Sequence, residues 1–186
     1  SLSSDGSIVA IGAWANDGNG SDAGHVRIYE WNGSTWLQKG IDIDGEAEDD
    51  GSGISVSLSS DGSIVAIGAD WNDGYGDNSG HVRIYEWNGS AWLQKGVDID
   101  GEAAGDRSGT SVSLSSDGSI VAIGAYYNDG NVNESGHVRI YEWNGSTWLQ
   151  KGLDIDGEAA DDRSGTSVSL SSDGSIVAIG AYNNDG

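Results

Sequence analysis

The chain contains no cysteine, proline, methionine or phenylalanine, and Lys and Arg together number only 8 in 186 residues. The absence of cysteine excludes disulfides and thiolate metal sites. The shortage of basic residues, set against 30 Asp and Glu, leaves a formal charge of −22. A surface this negative repels phosphate backbones and anionic membranes, so nucleic acid is not an expected partner. No apolar run approaches the ~20 residues that a spanning helix needs. Residue 1 is Ser, with no charged, apolar and small-residue sequence before it to mark a leader. The chain is therefore expected to be a processed product or an excerpt of a longer array.

What is present is repetition. Ser1, Ser57, Ser113 and Ser169 each open the string Ser-Leu-Ser-Ser-Asp-Gly-Ser-Ile-Val-Ala-Ile-Gly-Ala, a period of 56 residues. The units are 1–56, 57–112 and 113–168, followed by a partial unit at 169–186. Within the third unit, Thr110 to Ser115 alternates as a strand should, and Ser116-Asp117-Gly118 supplies a tight turn. Ser119 to Ala125 reads as a second strand, apolar on both faces. A longer loop, Tyr126 to Gly136, leads to a third strand, His137 to Trp143. Asn144-Gly145 is a hairpin signal, and a fourth strand is expected from Thr147 to about Asp156. No 3.6-residue apolar period occurs, so the class is all-β.

A four-stranded meander cannot bury both of its faces alone, whereas copies stacked face to face around an axis can. The expected architecture is a β-propeller built from four-stranded antiparallel blades, here three blades and one additional two-stranded hairpin. A β-solenoid is the structural alternative. Self-association or neighbouring repeats are expected to complete the ring, because three blades fall short of the ~4 to 8 that propellers use.

Ser108-Gly-Thr-Ser-Val-Ser-Leu114, Ile123-Gly-Ala125 and Gly136-His-Val-Arg-Ile-Tyr141 resemble the FG-GAP-like repeats of integrin α-type propellers. Ser-Gly stands here where that family has Phe-Gly, and no Pro follows Gly124-Ala125. The Ser-Ser-Asp-Gly-Ser turn and His137 to Trp143 also resemble WD40 blades more weakly, without the Gly-His and Trp-Asp signature. The FG-GAP resemblance implies a calcium motif in the hairpin between the first two strands, but that hairpin is too short here to wrap an ion.

In a meander both tight turns share one edge, and both long loops share the other. The loop after the second strand carries most of the differences between units: Trp14-Ala15 corresponds to Asp70-Trp71 and Tyr126-Tyr127. With Tyr75, these exposed aromatics beside amides and acids suit stacking on a sugar or peptide. Drift in a tolerant surface loop is the alternative explanation.

The loop joining successive units places acids at relative positions 1, 3, 5 and 9. These are Asp42, Asp44, Glu46 and Asp50; Asp98, Asp100, Glu102 and Asp106; and Asp154, Asp156, Glu158 and Asp162. Alternate oxygens on a turning loop are what Ca²⁺ collects, so calcium is the cofactor this spacing admits, though none is required. The alternative is an acidic connector whose Asp side chains cap backbone groups.

His25, His81 and His137 occupy one equivalent position and are expected to serve as structural hydrogen-bonding residues. A catalytic His needs an asymmetric pocket and a partner nucleophile or acid, which the sequence does not offer, so an enzyme is not expected. The pairs Trp31/Trp36, Trp87/Trp92 and Trp143/Trp148 flank the Asn-Gly turns and are expected to pack across strands and between blades. Asn32, Asn88 and Asn144 head Asn-Gly-Ser sequons in those turns, and Asn19 and Asn133 head two more, pointing to an extracellular or cell-surface setting. The functional expectation is a non-catalytic recognition module binding glycan or protein through its acidic, aromatic loop face. The alternative is a structural protein that assembles into a ring or fibre.

Overall fold

The computed structural model describes residues 1–185. Its strands, in chain order, are β1 (Ile8–Ala13), β2 (His25–Trp31), β3 (Trp36–Gln38), β4 (Ile43–Asp44), β5 (Ser55–Leu58), β6 (Ile64–Ala69), β7 (His81–Trp87) and β8 (Trp92–Gln94). They continue as β9 (Ile99–Asp100), β10 (Ser108–Leu114), β11 (Ile120–Ala125), β12 (His137–Trp143), β13 (Trp148–Gln150), β14 (Ile155–Asp156), β15 (Ser164–Leu170) and β16 (Val177–Ala181). Among the described residues these strands pair antiparallel, and isolated parallel bridges such as Gly80 to Ser108 link one blade to the next. The strands form three blades and a terminal hairpin, β15–β16, and the architecture is that of propeller blades. In the first blade a single bridge, Leu2 to Val9, stands where the others have a full inner strand.

The outer strand differs from its expected course. It is broken into β13 and β14, both pairing with β12, and likewise into β8 and β9 on β7. Lys95 still donates its N–H to Ile84 O at 2.7 Å, and then Gly96, at φ +88°, turns the chain off the sheet. This excursion serves the neighbouring blade. Trp148 Nε1 donates to Lys95 O at 2.7 Å, and a Cβ on Gly96 would come within 2.9 Å of both Trp143 and Trp148.

The period of two explains how each inner sheet is buried twice. Val65 and Ile67 of β6 pack toward the first blade, with Ile8, Val26, Ile28 and Leu58. Ile64 and Ala66 of the same strand pack toward the third, with Val112, Leu114, Val121 and Ile123. The third core joins Ile120, Ala122, Val138 and Ile140 to the terminal hairpin. There is thus one core per junction, and the second and third blades each supply part of two of them.

The gap between blades is graded. At the inner strands backbone meets backbone: a Cβ on Gly124 would lie 2.0 Å from Gly165 O, and one on Gly68 would lie 1.9 Å from Gly109 O. At the outer strand the gap is filled by a tryptophan. Backbone contact on one side and an indole's width on the other make the stack fan out, which is the geometry of blades around an axis.

The turns are tied to one another as well. Asp5 accepts from the Ser7 N–H and hydroxyl and from the Ser3 hydroxyl, which together hold its carboxyl down at about 2. Ser4, Ser60 and Ser116 donate their N–H groups to Ser60, Ser116 and Ser172 O, each at 2.8 Å, linking the four turns in series.

Equivalent positions should therefore respond differently to one substitution. Trp148 is 7% exposed, whereas Trp36, at the open face of the first blade, is 42% exposed. Urea unfolding is expected to show a loss of about 3–5 kcal/mol for Trp148→Ala and under about 2 kcal/mol for Trp36→Ala. Gly124→Ala should cost about 3 kcal/mol or more by forcing two backbones apart. Equal losses at the two tryptophans would contradict this account of the junction.

Candidate functional site

Stacking brings the long loops together on one face. The loop entering each new blade is wedged between two others: Asp49 and Gly51 donate N–H groups to Ser21 and Asp22 O of the first blade, and Trp71 of the second donates to Asp50 O. Asp50 is 3% exposed and fixes this wedge. Its Oδ2 accepts the Glu46 and Ala47 N–H groups, while Oδ1 accepts the Asn72 amide at 3.0 Å. Asp106 with Asn128, and Asp162 with Asn184, repeat the pairing, there with Oδ2 accepting both the amide and the N–H of Ala103 or Ala159.

The four acids of one connector occupy different surroundings. In the middle connector Asp98 turns to His81 of its own blade, and Glu102 crosses to His137 of the next. Asp106 is the buried cap, and Asp100 is exposed in β9, its carboxyl raised by partial burial and by the nearby Asp98 charge. Asp154 similarly turns to His137 and Glu46 to His81, whereas Asp156 and Glu158 lie exposed. In the first connector Asp42 pairs with Arg27 at 3.0 Å, and Asp44 joins His25 and Asp42 in one group.

His81 and His137 do not make the side-chain hydrogen bonds that the sequence suggested. His81 and His137 are each 1% exposed, and their Nε2 atoms have no hydrogen-bond partner among the described residues. Nδ1 of His81 lies 3.9 Å from Glu46 and 4.0 Å from Asp98, too far for a hydrogen bond. Burial, with Arg83 adding to it, lowers the His81 ring to about 4, so it is neutral at physiological pH. Glu46 is raised, chiefly by desolvation, with Arg83 opposing and Asp98 reinforcing the shift.

The predicted aromatics form a row across the loop face. Trp14 and Trp71, from adjacent blades, pack with ring centroids 5.9 Å apart, and Tyr126 and Tyr127 lie 4.2 Å apart. Tyr75, in the same loop of the second blade, is 66% exposed. Two arginines extend the row: Arg107 over Trp71 at 5.0 Å, and Arg163 over Tyr127 at 4.7 Å. Arg163 also donates to the Tyr182 hydroxyl and to Glu134. Sequence reasoning passed over these arginines, although a signal was present: the first connector has Gly51 where the others have Arg107 and Arg163.

Beneath the varied tips the loop skeleton is constant. Asn16, Asn72 and Asn128 accept the N–H two residues on, and Asp17, Asp73 and Asp129 accept the N–H of Asp22, Asn78 and Glu134. Those three acceptor-bound residues all have positive φ, between 47° and 52°.

Residues 95–141 match the FG-GAP repeat model, a span that runs from the outer strand of one blade through the third strand of the next. The string Lys-Gly-x-Asp-Ile-Asp-Gly-Glu-Ala that opens it recurs one period earlier, from Lys39, and one period later, from Lys151. No curated protein matches the chain in sequence. Among solved structures, a candidate 6-phosphogluconolactonase from Bacteroides uniformis is similar, with a TM-score of 0.63 and 12% identity, over 96% of this chain and 45% of that one. At that identity the likeness is one of fold alone, and this chain spans less than half of that protein's length.

One buried acid stands out on the loop face. Asp70 is 6% exposed, and burial raises its carboxyl to about 6, with Arg107 partly opposing. The folded value lies above the unfolded one, so the native state holds the proton more tightly. Stability contributed at this site falls as pH rises from about 4 to about 6. Asp70→Asn is expected to stabilise the protein by up to about 3 kcal/mol at pH 7 and by little at pH 4. Urea unfolding at the two pH values checks this, and an equal effect at both would refute it.

Proposed function

We propose that this chain is a non-catalytic recognition module, extracellular or at a cell surface, which binds a glycan or protein ligand through its loop face. The observation that carries the reading is the constant Asn-Asp skeleton under tips that differ from blade to blade. Rigid scaffolds that present variable loops are how many binding surfaces are built. The row from Trp14 and Trp71 through Arg107 to Tyr127 and Arg163 offers flat apolar area, donors and acceptors within one surface. Such groups stack on sugar rings or anchor peptide side chains at low entropic cost. The acidic groups recur in near-identical form at successive junctions, which supports a non-catalytic role, because acid–base work needs partners of unlike environment. Asn32, Asn88 and Asn144 are exposed in their turns, where sequons are accessible for modification.

A second reading has its own observation. Between blades, Lys39 and Lys95 lie over Trp87 and Trp143, and Trp92 and Trp148 bond back to the preceding blade. One half of this lock is open at each end of the stack: Trp31 and Trp36 on the first face, Lys151 and Gly152 on the last. Ile11 is 51% exposed, against 1% for its equivalents Ile67 and Ile123. These faces suit further blades, from the same chain or from a second copy, and so support assembly into a ring or fibre.

The binding reading is tested on a glycan array and a panel of immobilised proteins, with the ligand found then titrated. Trp14→Ala and Trp71→Ala should each weaken it at least tenfold while leaving circular dichroism unchanged. Undiminished binding in both variants would exclude this face. For the assembly reading, light scattering at micromolar concentration should give a mass above 19.2 kDa. A stable monomer would rule association out.

A further inference from the structure

The buried imidazoles at the two inner junctions each face a pair of carboxylate oxygens. At the first, the group is His81 Nδ1, Asp98 Oδ2 from the same blade and Glu46 Oε2 from the preceding one. At the second it is His137 Nδ1, Asp154 Oδ2 and Glu102 Oε2, with both separations 3.9 Å. Within each group the three atoms lie no more than 4.8 Å apart.

The other oxygen of every carboxylate is already engaged. Asp98 Oδ1 accepts the Gln94 amide at 2.5 Å, and Glu46 Oε1 lies 3.5 Å from Arg83. Asp154 and Glu102 repeat these contacts with Gln150 and Arg139. The partners hold each carboxylate with one oxygen outward and the other aimed at the ring nitrogen, which is how outer-shell groups orient metal ligands. The imidazole itself is a polar side chain, nearly wholly buried, with no hydrogen-bond partner at Nε2 among the described residues and with Nδ1 turned to the two carboxylates beyond hydrogen-bond distance.

We propose that each inner junction binds one divalent transition-metal ion of the Zn²⁺ class, through one imidazole nitrogen and one oxygen from each of two carboxylates. The donor set argues for this ion over calcium. Ca²⁺ collects six to eight oxygens, whereas here one nitrogen and two singly available oxygens converge. A tetrahedral ion takes three such donors and a water. Bond lengths of about 2.0–2.2 Å require each carboxylate to close in by about half an ångström. Glu46 and Asp98 can do so, because their side chains are 45% and 29% exposed. The ion would also offset charge, since Arg83 is set against Glu46 and Asp98, with Asp50 and Asp100 close by. It would join two blades, because the glutamate comes from one and the other ligands from the next.

The first blade is an internal control. There His25 is grouped with Asp42 and Asp44 of its own blade, and Arg27 already occupies Asp42 Oδ2, the very oxygen that faces the ring at 3.6 Å. The expected stoichiometry is therefore two ions per chain.

Equilibrium dialysis of the metal-free chain against Zn²⁺, read by elemental analysis, should give two bound ions that millimolar Ca²⁺ does not displace. Asp98→Asn should leave one, and Asp98→Asn with Asp154→Asn none, with circular dichroism unchanged. Zn²⁺ should raise the urea midpoint of the parent chain and not that of the double variant. If that variant does not fold, Glu46→Gln with Glu102→Gln, at more exposed positions, serves in its place with the same expectations. Stoichiometry below one, Zn²⁺ retained by the folded double variant, or displacement by calcium would each overturn the proposal.

Discussion

Everything in this molecule follows from a sheet that is apolar on both faces. In β6 and β11 all six residues are buried, so neither strand is satisfied by a single neighbour. Each inner blade must be covered twice, and the 56-residue copies before and after it do the covering. What limits the approach is local. Gly68 and Gly109 let backbones touch on the inner side, and a tryptophan keeps them apart on the outer side. Close approach on one side with separation on the other converts a linear repeat into a fan of blades.

Stacking also builds composite sites that no blade holds alone. The connector between blades is pinned by the buried Asp50 or Asp106, so the glutamate four residues before it lands against the next blade's histidine. In the same way Arg107, just after Asp106, is carried over Trp71 of the blade before. The chemistry of the loop face is therefore set by the junctions, and a change in blade spacing would move every one of these groups.

Much of the fold was legible in the sequence for the same reason. Period-two alternation, Ser-Asp-Gly and Asn-Gly turns, and an exact repeat specify the strands and their order, and the third strand of each blade falls on its expected residues. The break in the outer strand was not legible. It depends on Gly96 meeting two tryptophans 47 and 52 residues further along, in the next repeat. The aromatics of the loop face could be read because the units differ there. The His81 group could not, because its glutamate, Glu46, lies in the preceding unit, and a reading of acids along one loop groups neighbours in sequence instead. Three-dimensional partners here are about one repeat apart, a separation that local spacing does not reveal.

The pattern of identity between units carries a final physical consequence. A residue at a junction must fit the same neighbour in the next copy, so one change disturbs a contact that the rest of the array still expects. A residue that meets only solvent is under no such restraint. The connectors show both behaviours side by side. Asp50, Asp106 and Asp162 are identical and 3% exposed, while at the exposed position two residues earlier Glu48 stands where the later connectors have Ala104 and Ala160. Ile41, Val97 and Leu153 differ too, at 85%, 74% and 89% exposure. By this rule the difference between Gly51 and the two arginines, Arg107 and Arg163, is unusual, because each arginine lies over an aromatic ring. Those rings, Trp71 and Tyr127, are themselves variable tip residues. The arginines therefore belong with the varying surface rather than with the fixed junction, and it is at that surface, where blades are free to differ, that an array of like repeats can acquire a distinct binding face.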